Sequence, residues 1–334
     1  MDALGGLLDG PRANGAFLMR SVLRSPWSIR VQDRAPLSIA VVAKGEAWVI
    51  SDGGGPVHLF PGDVMIAKGP APYTVADAQD SAPTYFINPG QLCTDASGRS
   101  ISAEMMLDAR AWGNDAEGST VLVTGTYEHA SAVSERLLRT LPALIVLRRE
   151  QWASGLVSLL CDEVQRDDLG QEVFLDRLLD LVVIATVRAW LASAEALSPG
   201  WFIASSDPVV GPALRLIHRH PGRPWTVASL AAEVAVSRAA FARRFSELLG
   251  EPPMAYLTTW RLEVAADILL GTDRTIASIA AEVGYSTPFA LSAAFTRVKG
   301  LSPNRYRTAS RAERAANDTE WRRHSPPALM APTA

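Results

Sequence analysis

From Trp27 to about Tyr127 apolar and polar residues alternate with a period of two, and from residue 133 onward the period lengthens to that of a helix. The first stretch is made of short, β-branched runs: Ser28–Val31, Leu37–Ala43, Ala47–Ile50, Val57–Leu59, Val64–Ala67, Tyr73–Val75, Thr84–Ile87 and Val121–Thr124. Turn signals separate them, among them Lys44-Gly45-Glu46, Asp52-Gly53-Gly54-Gly55-Pro56 and Pro61-Gly62-Asp63. Many short strands with close turns predict a sandwich or barrel over about residues 25–130. Ahead of it, residues 1–20, with Leu4, Leu7, Leu8, Phe17 and Leu18, read as a short amphipathic lead-in.

Between 133 and 197 the pattern is helical. Glu135–Leu147 and Leu156–Val164 carry apolar stripes, and Gln171–Leu197 reads as one long helix. In that helix Phe174, Leu175, Leu178, Leu181, Val182, Ile184, Val187, Trp190 and others cover most of the circumference. A helix apolar nearly all round is buried, in its own domain or against a partner chain. Ser198-Pro199-Gly200 and Ser205-Ser206-Asp207-Pro208 then mark a linker. The tail at 311–334, Ala-, Arg- and Pro-rich, is expected to be disordered.

The stretch after the linker says nearly the same thing twice. Leu230-Ala231-Ala232-Glu233-Val234-Ala235-Val236-Ser237 returns as Ile279-Ala280-Ala281-Glu282-Val283-Gly284-Tyr285-Ser286, at an offset of 49. Phe245, Gly250, Pro253 and Tyr256 return as Phe295, Gly300, Pro303 and Tyr306, at an offset of 50. Two copies mean a duplicated supersecondary unit rather than a solenoid. In each, a helix opens on a hydroxyl cap, Thr226 or Thr275. The chain then turns at Ala235 or Gly284, where a residue free to take positive φ is wanted. A second helix follows, capped by Ser237 or Ser286 and buried through Phe241/Phe245 or Leu291/Phe295. Helix, tight turn and capped helix spell a helix-turn-helix, written twice.

With these residues in view, 207–307 resembles the DNA-binding domain of the AraC/XylS family of bacterial transcription regulators. The matching text is Ser237–Phe245, Gly250–Leu257, Trp260-Arg261-Leu262, Ala265-Ala266, Ile279-Ala280, Val283-Gly284-Tyr285, Phe295, Gly300, Ser302-Pro303 and Tyr306-Arg307. Leu59–Val64 is similar to a turn of cupin barrels, and in this family a cupin-like domain commonly precedes the DNA-binding half and senses a small molecule. The resemblance therefore implies an α+β chain of two domains. A cupin-like β-barrel with flanking helices fills 1–200, including a helical dimerisation segment at 133–197. An all-α double helix-turn-helix fills 201–310. It also implies a homodimer, a small-molecule effector and, for an activator, RNA polymerase as a partner.

Charge supports that division. The net charge of −3 argues against a nucleic-acid binder until it is resolved along the chain. From Asp207 onward 16 Lys+Arg face 11 Asp+Glu, a net +5, whereas the preceding residues hold 16 against 24, a net −8. A basic half beside an acidic half is the asymmetry expected when one domain meets double-stranded DNA. The N-terminus lacks a basic n-region and apolar h-region, and the most apolar helix is interrupted by Asp180 and Arg188, so no membrane is expected and the protein should be cytoplasmic.

The recognition helices are expected at Ser237–Leu249 and Thr287–Lys299, presenting their first turns to base edges. Arg238, Ala239, Ala242 and Arg243 face outward in the first. Arg243 is the leading base reader, a bidentate fork onto guanine. Arg238 and Arg244 are expected at phosphates. The second helix departs from the family pattern, with Ala293 where many members carry arginine. Thr287, Phe289 and Ser292 remain as groove contacts, Phe289 either on a thymine methyl or packed against the linking helix. That unit should read sequence weakly and grip backbone. Helix N-terminal amides at Ser237 and Ser286, the Thr226 and Thr275 hydroxyls, and Arg297, Lys299, Arg305 and Arg307 would serve this. Arg261, beside Trp260, is expected to buttress the two units through an internal ion pair. The linking helix, Pro253–Leu270, would span ~27 Å, which with the turns added sets the recognition helices near the ~34 Å between successive major-groove faces.

An enzyme finds little support. A catalytic cupin wants a His-x-His with a further carboxylate and imidazole, and the N-terminal half has only His58 and His129. Cys93 and Cys161 make neither a zinc spacing nor a disulfide framework. No metal or cofactor is expected. Trp48, Tyr73 and His58 are candidates for an effector pocket. A regulator governed by a protein partner, or a cupin-type enzyme fused to a DNA-binding domain, are the alternatives.

Overall fold

The computed structural model describes residues 17–108, 110–127, 138, 141–152, 155–193, 203–204, 206–309 and 311–312. They fall into two compact units, one holding the described residues of 17–127 and 141–193 and the other Leu138 and those from 203 onward.

The first unit is two sheets with a shared core. Its strands are β1 (Phe17–Leu23), β2 (Ser28–Val31), β3 (Leu37–Lys44), β4 (Ala47–Ser51), β5 (Val57–Leu59), β6 (Val64–Lys68) and β7 (Tyr73–Ala76). They continue with β8 (Tyr85–Asn88), β9 (Leu92–Asp95), β10 (Met106–Asp108), β11 (Ala111–Gly113), β12 (Thr120–Tyr127) and β13 (Leu144–Leu147). Seven strands run in the order β10-β11-β1-β12-β3-β6-β13 and six in the order β5-β4-β7-β2-β8-β9. Leu23, Trp27, Ile29, Val42, Val49, Met65, Val75 and Leu122 fill the space between, because alternation sends every second residue of these strands inward.

Two expectations need correction. Residues 17–20 belong to a strand rather than to an amphipathic lead-in, since β1 pairs with β12 from Phe17↔Thr126 to Leu23↔Thr120 and lies parallel to β11; residues 1–16 lie outside those described. Leu144–Leu147 is likewise a strand, not the end of a helix. Its four aliphatics pair antiparallel with Val64–Ala67, and a short apolar run of this kind has no periodicity to separate helix from strand. Within the expected 135–147 helix Leu138 is helical, 141–143 are not, and residues 135–137, 139 and 140 lie outside those described. The long helix buries one face within its own unit.

Helix α1 (Gly155–Glu163) precedes that helix, α2 (Gln171–Ala192), which packs one face onto its own unit through Leu175, Leu178, Leu179, Val182, Val183 and Val187. Tyr127 Oη donates to the buried carboxylate of Asp180 at 3.0 Å, joining β12 to α2. Burial and the Asp180 charge hold the Tyr127 phenol well above its ordinary value. The opposite face stays open, with Phe174 at 47% and Leu181 at 51% exposure.

The second unit is helical: α3 (Val210–Arg219), α4 (Val227–Glu233), α5 (Arg238–Leu249), α6 (Pro253–Gly271), α7 (Ile276–Glu282) and α8 (Pro288–Lys299). Among the described residues no helix is long and apolar enough to cross a membrane.

Candidate nucleic-acid interface

The two copies fold alike down to their caps. Thr226 Oγ1 accepts from Ser229 N–H at 3.0 Å, and Thr275 Oγ1 from Ser278 N–H at 3.2 Å, each satisfying an amide that the first turn leaves unpaired. Ser237 Oγ accepts from Ala240 N–H at 3.2 Å to open α5. In the second copy the cap is Thr287, which accepts from Ala290 N–H at 3.1 Å, rather than Ser286. The extra residue of the second copy is therefore in the turn, and from the cap onward the offset is 50. Both turns pass through positive φ, 55° at Ala235 and 83° at Gly284. Alanine holds that conformation at a cost of ~1 kcal/mol that glycine avoids.

Behind the turns sit matched cores. Phe241 and Phe245 are fully buried in the first copy, and Leu291 and Phe295 in the second. Phe245 meets Tyr256 of the linking helix edge-on at 5.5 Å, and Phe295 meets Tyr306 at 5.3 Å, so the recurring Phe and Tyr recur because they touch. Tyr256 Oη shares a 2.7 Å hydrogen bond with His218 Nε2, and the His218 ring rests 4.1 Å from Trp260.

Helix α6, 19 residues and thus ~28 Å long, bridges the copies. Arg261 buttresses them, but not through the ion pair expected of it. Its Nε donates to the Pro221 carbonyl and its Nη2 to the Arg223 carbonyl, both at 2.8 Å. Burial lowers the guanidinium pKa accordingly. The loop it holds, through Gly222, abuts the turn of the second copy at Gly284.

The outward faces differ. On α5, Arg238 and Ala239 are exposed, Ala242 is half-buried, and Arg243 is 77% exposed with only a 3.8 Å approach to Glu247. Arg244 is engaged elsewhere. Its Nε and Nη2 grip the Asp207 carboxylate, with Nε–Oδ2 at 2.9 Å and Nη2–Oδ2 at 2.6 Å. Asp207, whose side chain is 8% exposed, also accepts from the amides of Val209 and Val210 at the start of α3. Burial pushes this carboxylate up, yet Arg244 and the two amides outweigh it and hold the pKa below the usual value. Arg244 thereby forms a strut between the start of α3 and α5, a role invisible across 37 residues of sequence. On α8, Ala290, Ala293 and Arg297 are exposed, Ser292 is half-buried, and Ala294 is buried. Phe289 is 83% exposed, so it does not pack on the linking helix. Thr226, Ser237, Thr275 and Thr287 spend their hydroxyl oxygens on caps.

The three effector-pocket candidates do not come together. Val49 pairs with Val75 and Ser51 with Tyr73, which puts Tyr73 on the core side of the six-stranded sheet. Trp48 pairs with His58 on the other face, where the rings stack at 4.3 Å and His58 Nε2 lies 3.0 Å from Glu46. Burial pushes the Cys93 thiol up to about 12 and the Cys161 thiol up to about 11, so neither is activated. No group of three or more His, Cys, Asp or Glu suited to a metal occurs among the described residues.

Comparison with known proteins brings both halves into focus. Residues 2–192 match a family described as Cupin, and residues 230–309 match a family described as Helix-turn-helix domain. A putative AraC-like transcription regulator of Streptomyces lividans is 30% identical over 315 residues, covering 92% of this chain and 98% of the relative. The HTH-type transcriptional regulator AlkR of Acinetobacter baylyi is 28% identical over 317 residues, 93% of this chain and all of that protein. Among solved structures, the DNA-binding domain of AdpA in complex with a target DNA is 34% identical. That match covers 33% of this chain and 98% of the domain, with a TM-score of 0.31.

Proposed function

The chain belongs to the AraC-like transcription regulators, a cupin half followed by a helix-turn-helix half, and on that premise we propose how its residues divide the work of binding DNA. Helices α5 and α8 enter successive major grooves on one side of a duplex, with α6 setting their separation. Arg243 reads a guanine through O6 and N7, and Arg238 holds a phosphate. The observation that carries this reading is the correspondence of two capped helix pairs, Phe241 and Phe245 buried in one as Leu291 and Phe295 are in the other, with the positions of Ala239 and Arg243 exposed as those of Phe289 and Ala293 are. In a gel-shift series, Arg243→Ala should abolish preference for one base pair at a cost of ~1–3 kcal/mol. Equal loss on every sequence would make Arg243 a backbone contact.

The cupin half takes a small-molecule effector, at no site shared by Tyr73 and the Trp48–His58 pair, which lie on opposite faces of their sheet. A metabolite screen by thermal shift on the full chain tests it, since a ligand at a hundred times its Kd stabilises by ~2.7 kcal/mol. No hit, with a protein co-purifying instead, would favour control by a protein partner. The chain acts as a homodimer through the open face of α2, where Phe174, Leu181 and half-buried Ile184 align at helical spacing. If it activates, RNA polymerase is its further partner.

A further inference from the structure

The first two turns of the second recognition helix carry their exposed chemistry in a single aromatic ring. Phe289 is 83% exposed while Leu291, Ala294 and Phe295 of the same helix are buried. At the offset of 50, Phe289 stands where α5 has Ala239, and Ala293 stands where α5 has Arg243. The only other fully exposed side chains in the first two turns of α8 are Ala290 and Ala293, and the Thr287 hydroxyl oxygen is committed to the Ala290 amide. A groove-entering surface of this kind has no arginine or amide fork to set against base-edge donors and acceptors. The major groove offers it one apolar group, the C5-methyl of thymine. Two turns along the helix Arg297 is exposed, the charge expected where the partner is a polyanion.

We propose that Phe289 determines specificity by packing on the methyl groups of one or two consecutive thymines in the second major groove, so that α8 is an apolar reader beside the guanine-reading α5. This takes the thymine-methyl alternative over packing on the linking helix and makes the second unit's sequence reading specific, and it rests on the DNA-binding reading above. The two copies have placed their readers at different turns: an arginine in the second turn of α5, a phenylalanine in the first turn of α8. Because Phe289 contributes nothing to the core, truncating it leaves the fold in place.

The test uses the full chain and a randomised duplex library, with bound molecules sequenced. Wild type should enrich a guanine-containing half-site and, about one helical turn away, thymine at one or two fixed positions. Phe289→Ala should keep the first and lose the second. Deoxyuridine in place of each enriched thymine removes only the methyl group, and should weaken wild-type binding about fourfold per methyl while leaving Phe289→Ala unchanged. Cytosine at those positions should be rejected and 5-methylcytosine partly restored. The proposal is overturned if deoxyuridine binds wild type as well as thymidine does, or if Phe289→Ala loses equally on both. Enrichment of the guanine half-site alone overturns only this proposal; no enrichment of any sequence overturns the DNA-binding reading itself.

Discussion

Replacing Gly284 by alanine probes how the second helix pair is held within its unit. Gly284 sits at φ +83°, and a Cβ added there would lie 2.7 Å from Arg261 Nη2 and 2.8 Å from the Gly222 carbonyl oxygen. The left-handed backbone alone costs alanine about 1–2 kcal/mol. To relieve the contact Arg261 must move its Nη2, giving up that nitrogen's bond to the Arg223 carbonyl. A hydrogen bond from a charged donor contributes about 1.5–3 kcal/mol. The predicted loss is about 3–5 kcal/mol, at the high end for one substitution. Gly300 supplies the control. It has nearly the same φ, +74°, but nothing lies within 4 Å of an added Cβ, so Gly300→Ala should cost only about 1 kcal/mol. Native-state hydrogen exchange on the full chain, followed at the amides of α7 and α8, reads this unit apart from the other. Equal loss of protection in the two variants, no larger than the backbone cost of about 1–2 kcal/mol, would refute the steric argument and show that Arg261 clamps nothing.

Arg244→Ala should lower the thermal stability of the helical unit yet leave the salt slope of DNA binding unchanged, whereas Arg238→Ala should reduce that slope by about one; matching slopes would return Arg244 to the DNA backbone. Because the folded-state pKa of Asp207 is depressed, its stabilisation is complete above its unfolded value near ~3.9 and is lost as pH falls through the lower folded value. The Tm of wild type should therefore fall more steeply below about pH 4 than that of Asp207→Asn, and parallel profiles would contradict the strut. Leu181→Glu should convert a dimer to a monomer in sedimentation equilibrium without loss of helix, and an unchanged mass would remove α2 from the interface.

Much of the helical half was legible because its signals are local. A hydroxyl three residues ahead of an amide caps it wherever it stands, and Phe241/Phe245 declare an inward face by spacing alone. The cap at Thr287 rather than Ser286 shows the limit, since adjacent hydroxyl residues differ by one step of helix phase that no pattern resolves. The Arg244–Asp207 pair and the Arg261 carbonyl contacts join residues 37 to 40 positions apart and become visible only once the helices pack. In the sheet-rich half, alternation assigned Trp48 and Tyr73 each a face within its own strand. Their relative facing depended on the β4–β7 register, so the proposed shared pocket dissolved. Leu144–Leu147 was misread because four aliphatics in a row suit a buried strand and a buried helix equally.

The account stands or falls on two probes lying along one side of a duplex. Hydroxyl-radical footprinting of the full chain on a selected duplex should show, for each bound chain, two protected patches about 10–11 base pairs apart on the same face. A single patch per chain, or two patches on opposite faces, would contradict it.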